Sequence, residues 1–485
     1  MANNGKISFT ITPRADRLIA GSDAIVDLRI ENRSADTLEF PNPILAASTQ
    51  PVYSLKGPDG KEVEFTPRRI GEGEEELAPP APQLVKLPPQ QAWVGDMALN
   101  PFADVKRPGA YTISGHLVWH SLNLQSTPGK FEVVEAAFSE LAVCLWVDSS
   151  GGLVREAMLR QQGKDGPEAV AAVMSETNPI LGEMGVVNLI PRGNLPAGTH
   201  AICGTYANYE SDLLRWTVAQ ADSGFFVAHN SGPETVILTS KFKSLRPLTP
   251  LATRDESLYL LAVADGKKKS ELLFTRATSP AGLAKTAPLH HVAAFDPAPV
   301  GVSTVLGPES QNSPIVVVAV SIIEEQVSQL VAVHLTHEGE SSIEEHPLRG
   351  PTPTGTIAGH ISDDGQTRIG LIARLPEDPT RLSFVEWRGS LESGCFQDME
   401  MLPSFPEPCD LTDIRILYYE PERGHINRII VIRCKDGTLK VIDHTGRLRE
   451  AYTSVPAGAP MGIMPALRTW YVVFVADGIV QAGTL

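Results

Sequence analysis

The chain has 485 residues, of which 42% are hydrophobic, and it carries 40 glycines and 39 prolines. This length predicts two or three domains, and the apolar content is ample for a core. So much glycine and proline is typical of a turn-rich β protein rather than a helical one. The formal net charge is −16, and an acidic surface repels phosphate groups. Nucleic acid is therefore excluded from the expected partners.

The composition also bears on the compartment. Residues 1–20 hold no apolar run of about seven residues, so we expect no signal peptide, and no run of about 18 apolar residues predicts a membrane span. The cysteines are Cys144, Cys203, Cys395, Cys409 and Cys434. Their odd number and the lack of CxxC spacing predict free thiols in a reducing compartment, so we expect a cytoplasmic location, with non-classical export left open.

Residues 1–135 predict a first domain of short strands. Apolar and polar residues alternate along 24–31 and 111–120, which indicates strands with one buried face and one wet face. Further strands are predicted at 6–12, 51–55, 63–66, 95–99 and 130–134. About seven short strands in this length are typical of an immunoglobulin-like β-sandwich.

Two short motifs in this domain support the same architecture. Segment 108–113 (PGAYTI) resembles the "PG-x-Y" start of a strand in many bacterial immunoglobulin-like modules, and segment 32–34 (NRS) resembles their "N-x-S" strand ending. The resemblance covers about a quarter of the chain. It implies a role in adhesion, spacing or docking rather than chemistry. Since no cysteine pair links the two sheets, an antibody-type domain is not expected.

Segment 68–91 interrupts the predicted sandwich. It combines a run of glutamates with five prolines, a composition that buries too little apolar surface to order itself well. We interpret it as an acidic, proline-rich exposed loop, with docking of a partner as the alternative.

Residues 133–140 are the predicted boundary between domains. They lack the Pro/Gly/Ser richness of a flexible linker, which predicts a short and rigid join. The second domain is expected to span 141–485. Within it, segment 167–175 fits a short helix or a strand equally well.

The clearest element of the second domain is the hairpin at 427–446. A β-branched run at 429–434 is followed by Asp436-Gly437, which favours a tight turn, and by a return strand at 439–442. Both faces of the first strand are apolar, so both must be covered. A two-residue turn makes the pair antiparallel. Antiparallel hairpins that are covered on both faces are typical of β-propeller blades.

The same design recurs along the second domain. Hairpins are predicted at 142–159, 258–275, 315–335, 369–387 and 470–485, turning at pairs such as Asp265-Gly266 and Asp477-Gly478. Their spacing of roughly 55 to 60 residues exceeds the ~40 to 50 of regular propeller repeats. We predict a propeller of six or seven blades, of no identified family, closed by the C-terminal strands. A large two-layer β domain with irregular hairpins is the alternative.

Histidines supply weak candidates for chemistry. His290 and His291 are adjacent, so on a strand they face opposite ways and do not share a metal easily. His334 and His337 lack the glutamate of a HExxH motif, and solvated turn histidines are the preferred interpretation. We therefore assign no metal site and no cofactor.

Acidic and aromatic candidates are similarly weak. Segment 362–367 (SDDGQT) resembles the aspartate box of sialidase-like propellers, but it is one residue short and lacks the tryptophan; in those proteins the box is a structural turn. The adjacent pairs at 324–325 and 344–345 do not supply two carboxyls facing each other across a cleft. The tryptophans in or beside hairpin strands are expected in the blade cores; these are Trp146, Trp216, Trp387 and Trp470.

No catalytic residue is assigned from the sequence, and no binding residue can be named. The prediction is a non-enzymatic scaffold or adaptor that binds a protein or peptide on a propeller face, with the sandwich as a spacer. One alternative is a propeller enzyme, a lyase or hydrolase acting on saccharide or peptide, whose site is assembled from distant blades. The other is a structural subunit of a larger bacterial or phage-like assembly.

Overall fold

A computed structural model describes most of the chain. It covers residues 6–44, 52–65, 83–100, 102–147, 153–163, 165–178, 183–199, 201–207, 214–221, 224–229, 232–239, 245–248, 251–252, 258–266, 269–277, 286–306, 315–324, 327–336, 338–362, 364–375, 377–378, 381–390, 393–403, 413–422, 425–465 and 470–485. The named elements of these residues are all β-strands, so the predicted all-β class is confirmed. The chain divides into two compact units, residues 1–136 and 137–485.

The first unit contains eleven described strands. They are β1 (Ile7–Pro13), β2 (Arg17–Ile19), β3 (Ile25–Asn32), β4 (Leu38–Pro41), β5 (Val52–Lys56), β6 (Glu62–Val63), β7 (Leu84–Leu87), β8 (Gln91–Ala98), β9 (Gly109–Trp119), β10 (Leu122–Gln125) and β11 (Gly129–Val134). One sheet has the order β1-β3-β8 and a second has the order β2-β11-β9-β5-β6, with β10 on β9 and a separate pair β4-β7.

The two larger sheets of this unit share one hydrophobic core. Phe9 and Leu28 from the first sheet pack in the same cluster as Leu55, Tyr111 and Phe131 from the second. The burial pattern of β3 alternates strictly, as expected for a strand with one buried face.

The described strands of the second unit follow in chain order. They are β12 (Phe138–Val147), β13 (Leu153–Gln162), β14 (Pro167–Asn178), β15 (Glu183–Asn194), β16 (Ala201–Ala207), β17 (Leu214–Ala221), β18 (Gly224–His229), β19 (Gly232–Thr239), β20 (Leu245–Pro247), β21 (Leu251–Ala252), β22 (Leu258–Ala264), β23 (Ser270–Ala277), β24 (Thr286–Pro288), β25 (His290–Phe295), β26 (Gly301–Leu306), β27 (Ile315–Glu324), β28 (Val327–Leu335), β29 (Ser341–Arg349), β30 (Thr352–Ile361), β31 (Thr367–Arg374), β32 (Leu382–Gly389), β33 (Cys395–Phe396), β34 (Glu400–Met401), β35 (Ile414–Glu422), β36 (His425–Arg433), β37 (Leu439–Ile442), β38 (Leu448–Glu450), β39 (Met461–Pro465), β40 (Trp470–Ala476) and β41 (Ile479–Thr484).

These strands form seven sheets, which we number 1 to 7 in chain order. The sheets comprise β12–β15, β16–β19 with β24, β20–β23 with β25, β26–β29, β30–β34, β35–β38 and β39–β41. Within each sheet the main strands lie side by side in chain order, and each is antiparallel to the strand before it.

Consecutive sheets pack face to face. Apolar clusters join sheets 3 and 4, 4 and 5, 5 and 6, and 6 and 7. The first strand of sheet 7, β39, also contacts the first strand of sheet 1, β12, and Phe138 N–H donates to the carbonyl of Gly478 at 2.8 Å. Strands in the middle of these sheets, such as β27 and β28, are therefore covered on both sides in a propeller-like arrangement, which explains why this hairpin is apolar on both faces.

Three local predictions need correction or completion. In the predicted loop at 68–91, residues 68–82 lie outside the described part, but Leu84–Leu87 is strand β7, because its alternating LVKL sequence pairs with β4. Segment 167–175, left open as helix or strand, belongs to β14, between β13 and β15. The turn after β36 is centred one residue earlier than predicted, because Gly437 N–H donates to Cys434 C=O. Gly437 is the last residue of this turn and has a φ of 89°.

Candidate functional site

A cavity of about 650 Å³ lies where the first strands of several sheets meet. It is lined by residues of β12, β26, β30, β35 and β39, that is, by sheets 1, 4, 5, 6 and 7. These strands are spread along the sequence of the second unit, from β12 near its start to β39 near its end. Only the packing of successive sheets brings them together.

The lining consists largely of strand edges. Each of these five strands pairs with one described neighbour in its own sheet, so its other edge has backbone N–H and C=O groups free of sheet bonds. The cavity is lined by runs of consecutive residues, such as Gly355 to Ala358 and Ile414 to Leu417. This is expected when the edge of a strand, rather than one of its faces, borders the cavity.

Glycines let neighbouring first strands approach closely. A Cβ on Gly301 would lie 2.3 Å from the carbonyl oxygen of Gly355, and a Cβ on Gly462 would lie 1.9 Å from the side chain of Val143. The first contact joins sheets 4 and 5, and the second joins sheets 7 and 1. Larger residues here would therefore push the strands around the cavity apart.

The cavity wall is mostly uncharged. Apart from Ser303, Thr356 and the exposed Arg415, which is the one charged residue among them, its lining residues are apolar or glycine. A pair of groups for general acid–base chemistry is not present in this set. The wall can instead offer apolar contacts, backbone hydrogen bonds and one cation.

A buried polar network lies beside the cavity, between sheets 5 and 6. Tyr418, which follows the cavity residue Leu417, donates a hydrogen bond to Glu386 Oε1 at 2.9 Å. Burial, with the nearby Glu386 charge, raises the pKa of Tyr418 well above its usual value. Gly370 makes room for this tyrosine, because a Cβ there would lie 2.5 Å from its hydroxyl oxygen.

The sequence reasoning missed this network. Glu386 lies in the otherwise apolar stretch LSFVEW of β32 and is buried. A charged residue in a strand that is apolar on both faces is a signal of a buried partner. The partner itself, about 30 residues away on β35, could not be identified from the spacing.

The predicted histidine candidates lie apart. His290 and His291 are both exposed on β25, and His337 is outside the described residues. His334 lies within β28 with its side chain 17% exposed, so its interpretation as a solvated turn histidine is wrong. The Nε2 atom of His334 lies 3.7 Å from Glu344 Oε2.

His346 approaches the same carboxylate oxygen, with its Nε2 at 3.8 Å, and its ring packs on Trp387 with centroids 4.2 Å apart. Burial lowers the pKa of His346, and the Glu344 charge opposes this shift. Nevertheless, among the described residues no group of three or more His, Cys, Asp or Glu side chains is arranged to hold a metal ion.

The remaining candidates have structural positions. The described residues of segment 362–367, which leave out residue 363, connect β30 to β31, and Gly365 N–H donates to Ser362 C=O at 2.8 Å. Glu324 ends β27 and its neighbour at 325 is outside the described residues. Trp387 and Trp470 are buried in apolar clusters, as predicted, while the side chains of Trp146 and Trp216 lie outside the described part.

No family profile and no curated protein matches the sequence. Among solved structures, the chain is similar to polysaccharide lyase Uly1, with a TM-score of 0.39 and 9% identity over 71% of this chain and 89% of that chain. It is also similar to the WD40 domain of SCAP from fission yeast, with a TM-score of 0.27 and 10% identity over 72% of this chain and 83% of that chain. In the described part of this chain, no helix has the length and apolar character to span a membrane.

Proposed function

We propose that this protein is a non-enzymatic scaffold that binds an extended peptide segment of a protein partner in the cavity of its second unit. In this proposal the second unit is a seven-bladed β-propeller, and the first unit is an immunoglobulin-like sandwich that acts as a spacer. The observation that carries the proposal is the set of five strand edges that line the cavity.

An extended peptide matches this lining chemically. Strand edges bind peptides by continuing the backbone hydrogen-bond ladder, while side chains beside the edge select the sequence. The cavity volume of about 650 Å³ is in the range of ligand-binding clefts and would hold several residues. Because the wall is mostly uncharged, it favours apolar side chains in the peptide.

The spacer assignment rests on the first unit. Its two sheets enclose one core, and Tyr111 of the PGAYTI segment is buried in it, stacked on Phe131 with ring centroids 5.3 Å apart. Asn32 of the NRS segment is also buried and bonds to the end of β7. A cytoplasmic location is proposed as well, supported by Cys395 and Cys434, neither of which is in a disulfide.

The test starts with peptides selected from a random library on the intact protein. Ser303→Trp places a large ring at the cavity wall and should abolish binding of the selected peptides, measured by fluorescence polarisation. Ser342→Trp makes the same change at an exposed position of β29 and should leave binding unchanged.

N-methylation of the peptide backbone distinguishes edge binding from other modes. It removes N–H donors and should weaken binding by about tenfold or more for each bond lost, the upper part of the range for a hydrogen bond. Equal affinity of S303W and the wild type for the selected peptides would refute the cavity as the site. A library that yields no peptide binder would refute the scaffold proposal itself.

A further inference from the structure

Three basic side chains lie in a row across sheet 5. His360 of β30 is directly opposite Arg368 of β31, and Arg368 is directly opposite Arg388 of β32. Residues opposite each other in antiparallel strands project on the same face, so the three side chains are neighbours on the face towards sheet 6. Two adjacent arginines repel each other, and their placement needs a compensating charge.

The compensating negative charge comes from Glu386, which lies two residues before Arg388 on β32. Its carboxylate is buried; Oε2 accepts a hydrogen bond from Arg388 Nε and lies 3.6 Å from Arg368 Nη1. Oε1 accepts the Tyr418 hydroxyl. One buried carboxylate therefore holds both guanidinium groups, and the tyrosine fixes the carboxylate in turn.

The outer parts of both arginines face solvent. The Arg368 side chain is 30% exposed and the Arg388 side chain is 44% exposed. Arg388 uses only Nε towards Glu386, so its two terminal nitrogens carry N–H donors that no described residue accepts. These donors are held in a fixed orientation at the surface of a chain whose net charge is −16.

One further charge between sheets 5 and 6 is already neutralised. Arg428 is buried, forms an ion pair with Glu400 and lies over the ring of Phe384, with its guanidinium carbon 4.2 Å from the ring centroid. The two arginines of the row and Glu386 together carry one net positive charge. The exposed donors thus belong to a site with the charge of a single cation.

We propose that Arg368 and Arg388 form a binding site for a carboxylate group of a ligand. A planar guanidinium presents parallel N–H donors that match the two oxygens of a carboxylate. A single net positive charge suits a monoanion, whereas a phosphate dianion would be repelled by the adjacent Glu386. The site is independent of peptide binding in the cavity, since it is built on a different part of sheet 5.

The probe is N-acetyl-glutamate α-amide, which carries one carboxylate, and its neutral isostere N-acetyl-glutamine α-amide is the control ligand. Ligand-observed NMR titration of the full-length protein should give saturable binding of the first and no measurable binding of the second. Arg388→Gln and Arg368→Gln should each weaken binding by about tenfold or more, the range for charge-assisted hydrogen bonds. Arg388→Lys should weaken it as well, because lysine keeps the charge but loses the planar pair of donors.

Arg374→Gln is the matched control variant. It removes the same charge from an exposed position at the other end of β31 and should leave the dissociation constant unchanged. Thermal unfolding curves identify any variant that fails to fold, and Arg388→Lys, which keeps a positive charge beside the buried Glu386, gives a second test of the site if R388Q is destabilised. The proposal is overturned if wild-type protein shows no saturable binding, if R368Q and R388Q bind as R374Q does, or if inorganic phosphate binds more tightly than the carboxylate probe.

Discussion

Arg433 offers the sharpest test of how sheets 6 and 7 are held together. It is 3% exposed, and its Nε donates to Asp413 Oδ2 at 2.6 Å, with a second contact from Nη2 to the same oxygen. Its Nη1 donates to the backbone carbonyls of Pro456 at 3.0 Å and Ala459 at 2.7 Å. One side chain thereby links the start of β35 to the loop that leads into β39.

Arg433→Met keeps much of the side-chain volume but removes every donor. Asp413, itself 8% exposed, would be left as a buried carboxylate without its cation. Breaking a buried ion pair on one side costs about 3–5 kcal/mol. Loss of the hydrogen bonds to the two carbonyls costs less than loss of the ion pair, because Pro456 C=O also accepts the N–H of Ala459 and both residues are partly accessible to water.

Calorimetric melting of the intact protein is the assay. With an unfolding entropy of about 2.1 cal/mol/K per residue, a unit the size of residues 137–485 should lose about 4–7 °C in Tm. The double variant Asp413→Leu with Arg433→Met removes both charges and should recover all but about 1–3 °C, the cost of the unfilled carbonyls. Arg447→Met, at an exposed position, is the control and should leave Tm unchanged.

A loss of less than about 1 °C in R433M would show that the ion pair contributes little net stability. Equal losses in the single and double variants would contradict the explanation by an uncompensated carboxylate.

Two further predictions concern one buried amide and one imidazole. Asn32→Ala should destabilise the first unit by about 2–4 kcal/mol. The reason is that the buried Asn32 amide donates to the carbonyls of Asp36 at 2.8 Å and Leu87 at 3.0 Å. Urea unfolding measures the effect, and a change in the midpoint no larger than that of the exposed Asn123→Ala would contradict the prediction. His346 has a pKa below its ordinary value of about 6.5, chiefly because it is buried. As the pH falls, His346 is therefore protonated in the unfolded chain before it is protonated in the folded protein. The contribution of neutral His346 to stability is present above pH 6.5 and is lost as the pH falls towards the pKa of the folded state. The Tm advantage of wild type over His346→Gln should accordingly narrow from pH 7.5 to pH 5.5, and a constant or widening gap would refute the assignment.

Strand pairs with short, well-defined turns were predicted most accurately. Asp477 and Gly478 both have positive φ, 52° and 74°, and join β40 to β41 directly, as the Asp-Gly signal indicates. In β27, seven consecutive buried residues reflect the cover on both faces that the apolar sequence predicted. These features are local, because a turn depends on its own φ angles and a strand's burial shows in its own pattern.

Other elements depended on distant partners. β7 is four residues long and follows an acidic, proline-rich segment, so composition alone predicted a loop; its hydrogen bonds go to β4, more than 40 residues earlier. The alanine-rich β14 fits helix and strand propensity equally, and pairing with both β13 and β15 decides for the strand.

By itself, the sequence determined the all-β class, the hairpins of the second unit and the need to cover both faces of their strands, because side-chain alternation and turn chemistry act over a few residues. Tertiary structure alone decided the cavity and the grouping of charged side chains on which the proposed carboxylate site rests. The cavity requires β12 and β39, which are more than 300 residues apart, to meet at glycine contacts such as Gly462 on Val143. The row of Arg368 and Arg388 depends on strand register and on a buried Glu386 that Tyr418 of another sheet holds in place. Register and sheet-to-sheet packing follow from the sum of many weak contacts across the chain, so no single stretch of sequence displays them.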